Sequence, residues 1–146
     1  MGLIFSRRCE YALQAVLYLA LKPEGEKISA QEIAGRLGIP YHFLSKIFQD
    51  LARKGMLVSL KGPSGGFGLG MPAEEITLYH IVEAIDGSSL AKDCVLGFPE
   101  CSGKKPCAVH ETWAGLRDEV HRMLSTKNIA EMASAMRKPE YKVPVG

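Results

Sequence analysis

Between Cys94 and His110 the chain reads CVLGFPECSGKKPCAVH, which gathers three of its four cysteines. Six residues separate the first two thiols, five separate the next two, and His110 follows Cys107 after two more. Thiolates are soft ligands that select zinc, Cu(I) or iron–sulfur clusters, and imidazole can join them. The intervening residues are rich in Gly, Pro, Ser and Lys, which make loops rather than packed core. A loop of this length with nothing inside it is unusual in a compact domain. Convergence of three thiols and an imidazole on an inorganic centre would supply what the loop lacks.

The spacing bears on which centre. Three cysteines and a histidine can close a tetrahedral zinc site, but such sites commonly include a C-x₂₋₄-C knuckle, and here the nearest cysteines have five residues between them. The plant-type ferredoxin spacing is absent too. Longer loops can wrap something larger than one ion, so the spacing mildly favours a cluster over zinc, with a simple thiol switch third. Cys9 stands apart on the first helix and is expected to be an ordinary semi-buried thiol.

The elements that must position this loop come from a chain of 146 residues, the length of one small domain. Hydrophobic residues make up 47% of it, enough for a core, yet no apolar run approaches the ~18 residues a membrane span needs. The N-terminal residues carry no signal-peptide pattern, so the cysteines are expected in a reducing cytoplasm rather than in disulfides. Net charge is +2, but residues 1–72 carry +4 and residues 73–146 carry −2. Any nucleic-acid surface is expected in the first half. No nucleophile–base arrangement or paired carboxylate points to an enzyme.

Leu13, Val16, Leu17, Ala20 and Leu21 recur at helical spacing, which predicts an amphipathic helix over about 6–21, ended by Pro23. Ser29-Ala-Gln-Glu32 has the form of a capping box opening a short helix through Ile33, Ala34 and Leu37, with Gly38 as its left-handed cap. Leu44, Ile47, Phe48 and Leu51 mark the next helix, closed by Gly55. Two helices across a tight Gly-containing turn form a helix-turn-helix, unless they are a plain helical hairpin with a solvated face. The second helix offers His42, Ser45, Lys46, Gln49 and Arg53 opposite its apolar stripe, side chains able to bond base edges or phosphates.

Met56–Leu60 reads as a strand, Phe67–Leu69 as its partner, and KGPSGG between them as a tight reversal. A hairpin after a helix-turn-helix makes a wing. It carries Lys61 beside glycines whose bare backbone would permit close approach to phosphates or a minor groove. The same six residues lack the order of a nucleotide-binding P-loop. A fourth helix follows on Leu78, Ile81, Val82 and Ile85, capped by Thr77 and ended by Gly87. Beyond the cysteine loop, Val109, Trp113, Leu116, Val120 and Met123 alternate by four and three, a heptad seam suited to pairing with a second copy or to packing on the chain's own core. A short last helix around Ile129, Met132, Ala133 and Met136 is expected beside that seam helix.

Together the helix-turn-helix, the wing KGPSGGFGLG and the segment CVLGFPECSGKKPCAVHETW resemble the iron–sulfur cluster regulator family, the IscR and NsrR type of winged-helix transcription regulator. The similarity runs from Phe5 to about Met136. The resemblance implies a homodimer that binds double-stranded operator DNA and carries one cluster per subunit, with Cys94, Cys101 and Cys107 as ligands. His110 and Trp113 resemble the branch with a 2Fe–2S cluster and a histidine as fourth ligand. Glu10 falls where the nitric-oxide-sensing branch takes a carboxylate from the partner subunit, so it is the alternative fourth ligand. Imidazole in register with the cysteines favours His110, and 2Fe–2S over 4Fe–4S. The first cysteine spacing is one residue longer than the family pattern.

The expected architecture is mainly α: a winged helix-turn-helix with a small β-hairpin wing over 1–87, a cluster-binding loop over 88–107, dimerisation helices over 108–137 and a tail over 138–146. The expected function is transcription regulation, with repression as the working assumption, through sensing of redox, nitric oxide or iron–sulfur status. Its competitors are a zinc-stabilised or thiol-switch repressor using the same heads and, from another class, a small iron–sulfur electron carrier, which would have no use for a wing.

Overall fold

Among the described residues, four of six helices begin where a short polar side chain can catch a free backbone N–H. Ser6, Ser29, Thr77 and Asn128 accept from the amides of Cys9, Glu32, His80 and Glu131, three residues on in each case. At Thr77 the return bond forms as well, because His80 Nδ1 accepts from the Thr77 amide at 3.1 Å. The helices so started are α1 (Arg7–Ala20), α2 (Ala30–Leu37), α4 (Leu78–Asp86) and α6 (Ile129–Met136). The other two, α3 (Tyr41–Arg53) and α5 (His110–Thr126), start at Pro40 and Val109 with no side-chain cap. Gly38, in the left-handed region at φ +68°, turns α2 into α3.

The computed structural model describes residues 4–88, 92–99 and 101–144. Between α3 and α4 lie β1 (Leu57–Leu60), β2 (Gly66–Leu69) and one 3₁₀ turn (Ala73–Glu75). The strands pair antiparallel, Leu57 opposite Leu69 and Leu60 opposite Gly66. On the far side of β2, Ile28 exchanges both backbone bonds with Phe67, at 2.8 and 2.9 Å. The hairpin is thereby stapled to the residues that open the helix-turn-helix.

The wing glycines turn out to serve this staple. A Cβ on Gly65 would sit 2.0 Å from the Leu60 carbonyl oxygen. One on Gly66, at φ +147°, would sit 2.5 Å from the Ile28 carbonyl carbon. Glycine is thus required here by backbone meeting backbone inside the fold, a reason independent of any approach to DNA.

The core collects the apolar stripes predicted for α1 and α3. Ala12, Ala15, Val16 and Leu19 meet Ile33, Leu44, Ile47, Phe48 and Leu51, closed below by Leu57, Ile76 and Ile81. Phe48 and Phe67 meet edge to face at 4.9 Å between ring centres, which ties the wing to α3. The last helix departs from expectation. α6 packs against α1 and the 3₁₀ turn, not beside α5, and buries Ile129 and Ala133 in the main core. The cause is a backbone clasp: the Leu78 amide donates to Lys127 O and the Ile129 amide to Ile76 O. These bonds return the chain to the head immediately after α5.

α5 itself buries only Leu124 among its 17 residues. Leu124 joins Cys9 and Val82 in a second small core, with Phe5 and Val120 against it. The heptad positions divide accordingly. Trp113 and Val120 are half-buried toward the chain's own body, while Val109, Leu116 and Met123 stand 39%, 56% and 49% exposed.

Candidate functional site

The helix-turn-helix presents its polar stripe as the spacing predicts. His42, Lys46, Gln49 and Arg53 are all exposed, while Leu44, Ile47, Phe48 and Leu51 are buried on the opposite face. Ser45 is half-buried at the stripe's edge, where its Oγ lies 3.5 Å from Gln49 Nε2. Lys61 is exposed where β1 enters the wing's turn. On the stripe and on the wing these donors are available to a groove and its phosphates.

Two features of this face were not read from the sequence. Arg53 is paired with Asp50 on its own helix, and Arg8 reaches from α1 to the same carboxylate. The i, i+3 spacing of Asp50 and Arg53 was a visible signal, whereas Arg8 is brought to them only by α1 crossing α3. The rings of Tyr11 and Phe43 meet edge to face at 5.6 Å at that crossing.

At the other end, the segment after α4 sets its candidate ligand side chains in two pairs. Cys101 Sγ lies 3.5 Å from His110 Nδ1. Cys107 lies within hydrogen-bonding reach of Cys94. Cys94 is buried, and Cys101, Cys107 and His110 are half-buried. No disulfide joins the four cysteines. Among the described residues, no three His, Cys, Asp or Glu side chains gather closely enough to hold one metal ion. The donor set, three thiols and an imidazole, fits soft-ligand iron–sulfur or zinc chemistry. A single ion would require the two pairs to close on one point, whereas a cluster with more than one iron offers separate attachment points.

The local electrostatics favour negative charge on sulfur. The amides of Phe98, Leu96 and Gly97 are turned toward Cys94 and, with Cys107, draw its thiol below the ordinary range; the Phe98 amide contributes most, and desolvation only partly opposes them. Gly97, at φ +83°, makes this turn, its amide donating to Cys94 O at 3.0 Å. Arg117 Nη1 donates to Cys101 Sγ at 3.3 Å. Arg117 lies seven residues after His110, two turns along one face of α5, a phase relation the sequence displayed but which meant nothing until Cys101 was placed. Trp113 Nε1 donates to Asp93 O at 3.2 Å and pins the loop's start to α5. The uncapped N-terminus of α5 begins three residues after Cys107, and the His110 amide donates to Cys107 O. A helix N-terminus favours nearby negative charge.

Glu10 lies in the first turn of α1, its carboxylate 3.7 Å from Arg7. After burial and the charge of Asp86, its own negative charge adds to what raises the pKa of the neighbouring Cys9 thiol. Cys9 is fully rather than half buried, at 0% exposure. An apolar groove of about 560 Å³ runs between these parts, lined by Ile4, Phe5, Val82, Cys94, Trp113 and Leu116 among others. Among the described residues no helix is long and apolar enough to cross a membrane.

Comparison with known proteins agrees with this arrangement. IscR of Photorhabdus laumondii, a helix-turn-helix transcriptional regulator, is 32% identical over 124 residues, which span 85% of this chain and 75% of the relative. The structure of CymR, the global cysteine regulator of B. subtilis, superposes with a TM-score of 0.78 at 25% identity, over 92% of this chain and 98% of that one. T. potens IscR shares the fold with a TM-score of 0.77 at 22% identity, over 97% and 94%. The model of the Rrf2 family, described as an iron-dependent transcriptional regulator, matches residues 5–135. Winged head, cysteine-rich loop and long following helix are thus those of a transcriptional regulator and not of an enzyme, and the chain belongs to the Rrf2 family.

Proposed function

We propose that the chain is a dimeric DNA-binding regulator whose Cys94–His110 loop holds an iron–sulfur cluster as its sensor. Cys94, Cys101, Cys107 and His110 would be the ligands, with a 2Fe–2S cluster preferred over 4Fe–4S and Glu10 of the partner subunit as the alternative to His110. The observation that carries this is the grouping of the four side chains into two pairs, Cys101 with His110 and Cys94 with Cys107. Such a cluster supplies one-electron redox chemistry and lability toward oxidants when bound. Arg117 and the amides around Cys94 orient the sulfurs and stabilise their charge.

Regulation follows from what the loop connects. It runs from α4, which packs on α1 and α3 of the DNA-binding head, to α5, which is held to α4 through Val120 and Leu124. Val109, Leu116 and Met123 form the stripe on which a second copy would pair. A change in loop geometry would move α5 against its own head and so alter the spacing of two heads in a dimer. Half-sites must lie about 34 Å apart for both recognition helices to engage, so small shifts carry large effects on affinity. His42, Ser45 and Gln49 are placed to read bases, and Lys46, Arg53 and Lys61 to meet phosphates.

A thiol switch is the second reading, favoured by the proximity of Cys107 to the activated Cys94 thiol and by the likeness to CymR. Anaerobic purification separates the two. Brown protein with bound iron and sulfide, lost in His110→Ala but not in Glu10→Ala, supports the cluster and its fourth ligand. Colourless, iron-free protein in which mild oxidant joins Cys94 to Cys107 rejects it in favour of the switch, and colourless protein with stoichiometric zinc rejects both.

A further inference from the structure

Asp50 is an acid on a face that otherwise offers donors. It follows Lys46 by four residues and precedes Arg53 by three, so it stands at the edge of the His42–Lys46–Gln49–Arg53 stripe. Both of its oxygens are engaged: Oδ1 with Arg53 Nη2 and Oδ2 with Arg8 Nη2. The two arginine side chains remain 75% and 34% exposed, Arg53 the more open of the two. Asp50 is half-buried at 24% exposure but all three side chains reach solvent, and ion pairs open to solvent contribute only about 0–1 kcal/mol to stability. The crossing of α1 and α3 is already held by Tyr11 on Phe43 and by the core beneath them. The triad therefore has little structural work to do. A carboxylate and a phosphate present the same pair of oxygens to a guanidinium fork.

We propose that Asp50 is an internal phosphate mimic which, by occupying Arg8 and Arg53, holds down sequence-independent DNA affinity and leaves discrimination to the base-reading side chains. Arg8, from outside the helix-turn-helix, is by the same geometry a member of the DNA interface. With Asp50 in place the three groups carry a net +1, and a phosphate must compete for guanidiniums already bonded. Without it they carry +2 and both forks are free. Weakening non-specific binding raises the specificity ratio even when operator affinity changes little.

The proposal rests on α3 being the DNA-contacting helix, and its test keeps the two ideas separable. Binding to a labelled duplex of arbitrary sequence is followed by fluorescence anisotropy across a salt titration, with thermal melts of every variant. Asp50→Asn is expected to tighten binding and steepen the salt dependence. Each freed guanidinium adds about 0.9 to the slope, so the loss of affinity between about 50 and 200 mM salt grows roughly 3.5-fold per contact and roughly 12-fold for both. Adding Arg8→Ala and Arg53→Ala to that variant is expected to remove the gain. In the otherwise unaltered protein, Arg53→Gln should change the slope by less than half as much as Lys46→Ala, a comparison that stands even if Asp50→Asn folds poorly. A gain that survives in the triple variant, an unchanged slope in folded Asp50→Asn, or an Arg53→Gln effect equal to that of Lys46→Ala overturns the mimic. If Lys46→Ala also leaves the slope untouched, α3 is not the DNA-contacting helix and both ideas fall.

Discussion

The most quantitative consequence concerns Cys9. Its thiol is fully buried in the small core that joins α1, α4 and α5, and its pKa is pushed from the ordinary 9.0 up to about 12. Burial is the main cause, followed by the negative charges of Asp86 and Glu10 and a hydrogen bond to Asp86. The folded state therefore keeps a proton that the unfolded chain releases near pH 9. Stability from this group is complete below pH 9 and is lost as pH rises toward 12. A shift of three units corresponds to about 4 kcal/mol in full, of which about 2 kcal/mol is gone by a pH of about 10.5. Urea unfolding under reductant, for wild type and Cys9→Ala at several pH values, isolates the effect. The variant should show a roughly constant offset of about 1–2 kcal/mol from the lost sulfur, but a flatter decline above pH 9. Every other group is common to both proteins, so its contribution cancels in the comparison. Parallel pH profiles would refute the burial argument, as would rapid alkylation of Cys9 in the native protein. The expected inertness matters for the proposed sensing, which it would confine to Cys94, Cys101 and Cys107.

Lys61→Ala should weaken binding to all DNA sequences and reduce the salt slope by about 0.9, as measured by anisotropy; an unchanged slope would remove Lys61 from the phosphate contacts. Leu116→Asp places a charge in the middle of the exposed Val109–Leu116–Met123 stripe and should shift the protein from dimer to monomer in sedimentation, with little change in helix content. A dimer that persists at micromolar concentration would move the pairing surface elsewhere. Gly66→Ala forces an unfavourable φ and drives a Cβ into Ile28, so stability should drop by about 2–3 kcal/mol or more in denaturant unfolding. The same substitution at Gly62, which has open space around it and only a φ of +106° to satisfy, should be milder.

The division of α5 would let one helix serve both the proposed dimer and the proposed sensor. A heptad seam has two flanks, and here they face different bodies. Trp113 and Val120 lie toward the chain's own α4 and loop, while Val109, Leu116 and Met123 lie toward solvent. His110 and Arg117 occupy a third phase of the same helix and meet Cys101. Rotation or tilt of α5 would disturb all three sets at once, which makes the helix a natural relay.

Much of this protein could be read before any coordinates. Helix positions followed from apolar spacing and, for two helices, from the caps at Ser29 and Thr77, because capping acts over three residues and is a local property. The wing followed from strand character flanking KGPSGG, and the candidate ligands from thiol chemistry and a resemblance covering nearly the whole chain. Tertiary structure alone decided the rest, since those facts depend on which distant segments meet. The clasp between Ile76 and Ile129 sends α6 back to the head instead of along α5. The Ile28 backbone makes glycine at 66 a requirement of the fold. α1 crossing α3 brings Arg8 to Asp50, and the loop's closure sets Cys101 against His110 and Arg117. For the Cys94–His110 loop, residue type determined what the side chains could bind, but only packing could sort the four candidate ligands into two pairs and bury one of the thiols.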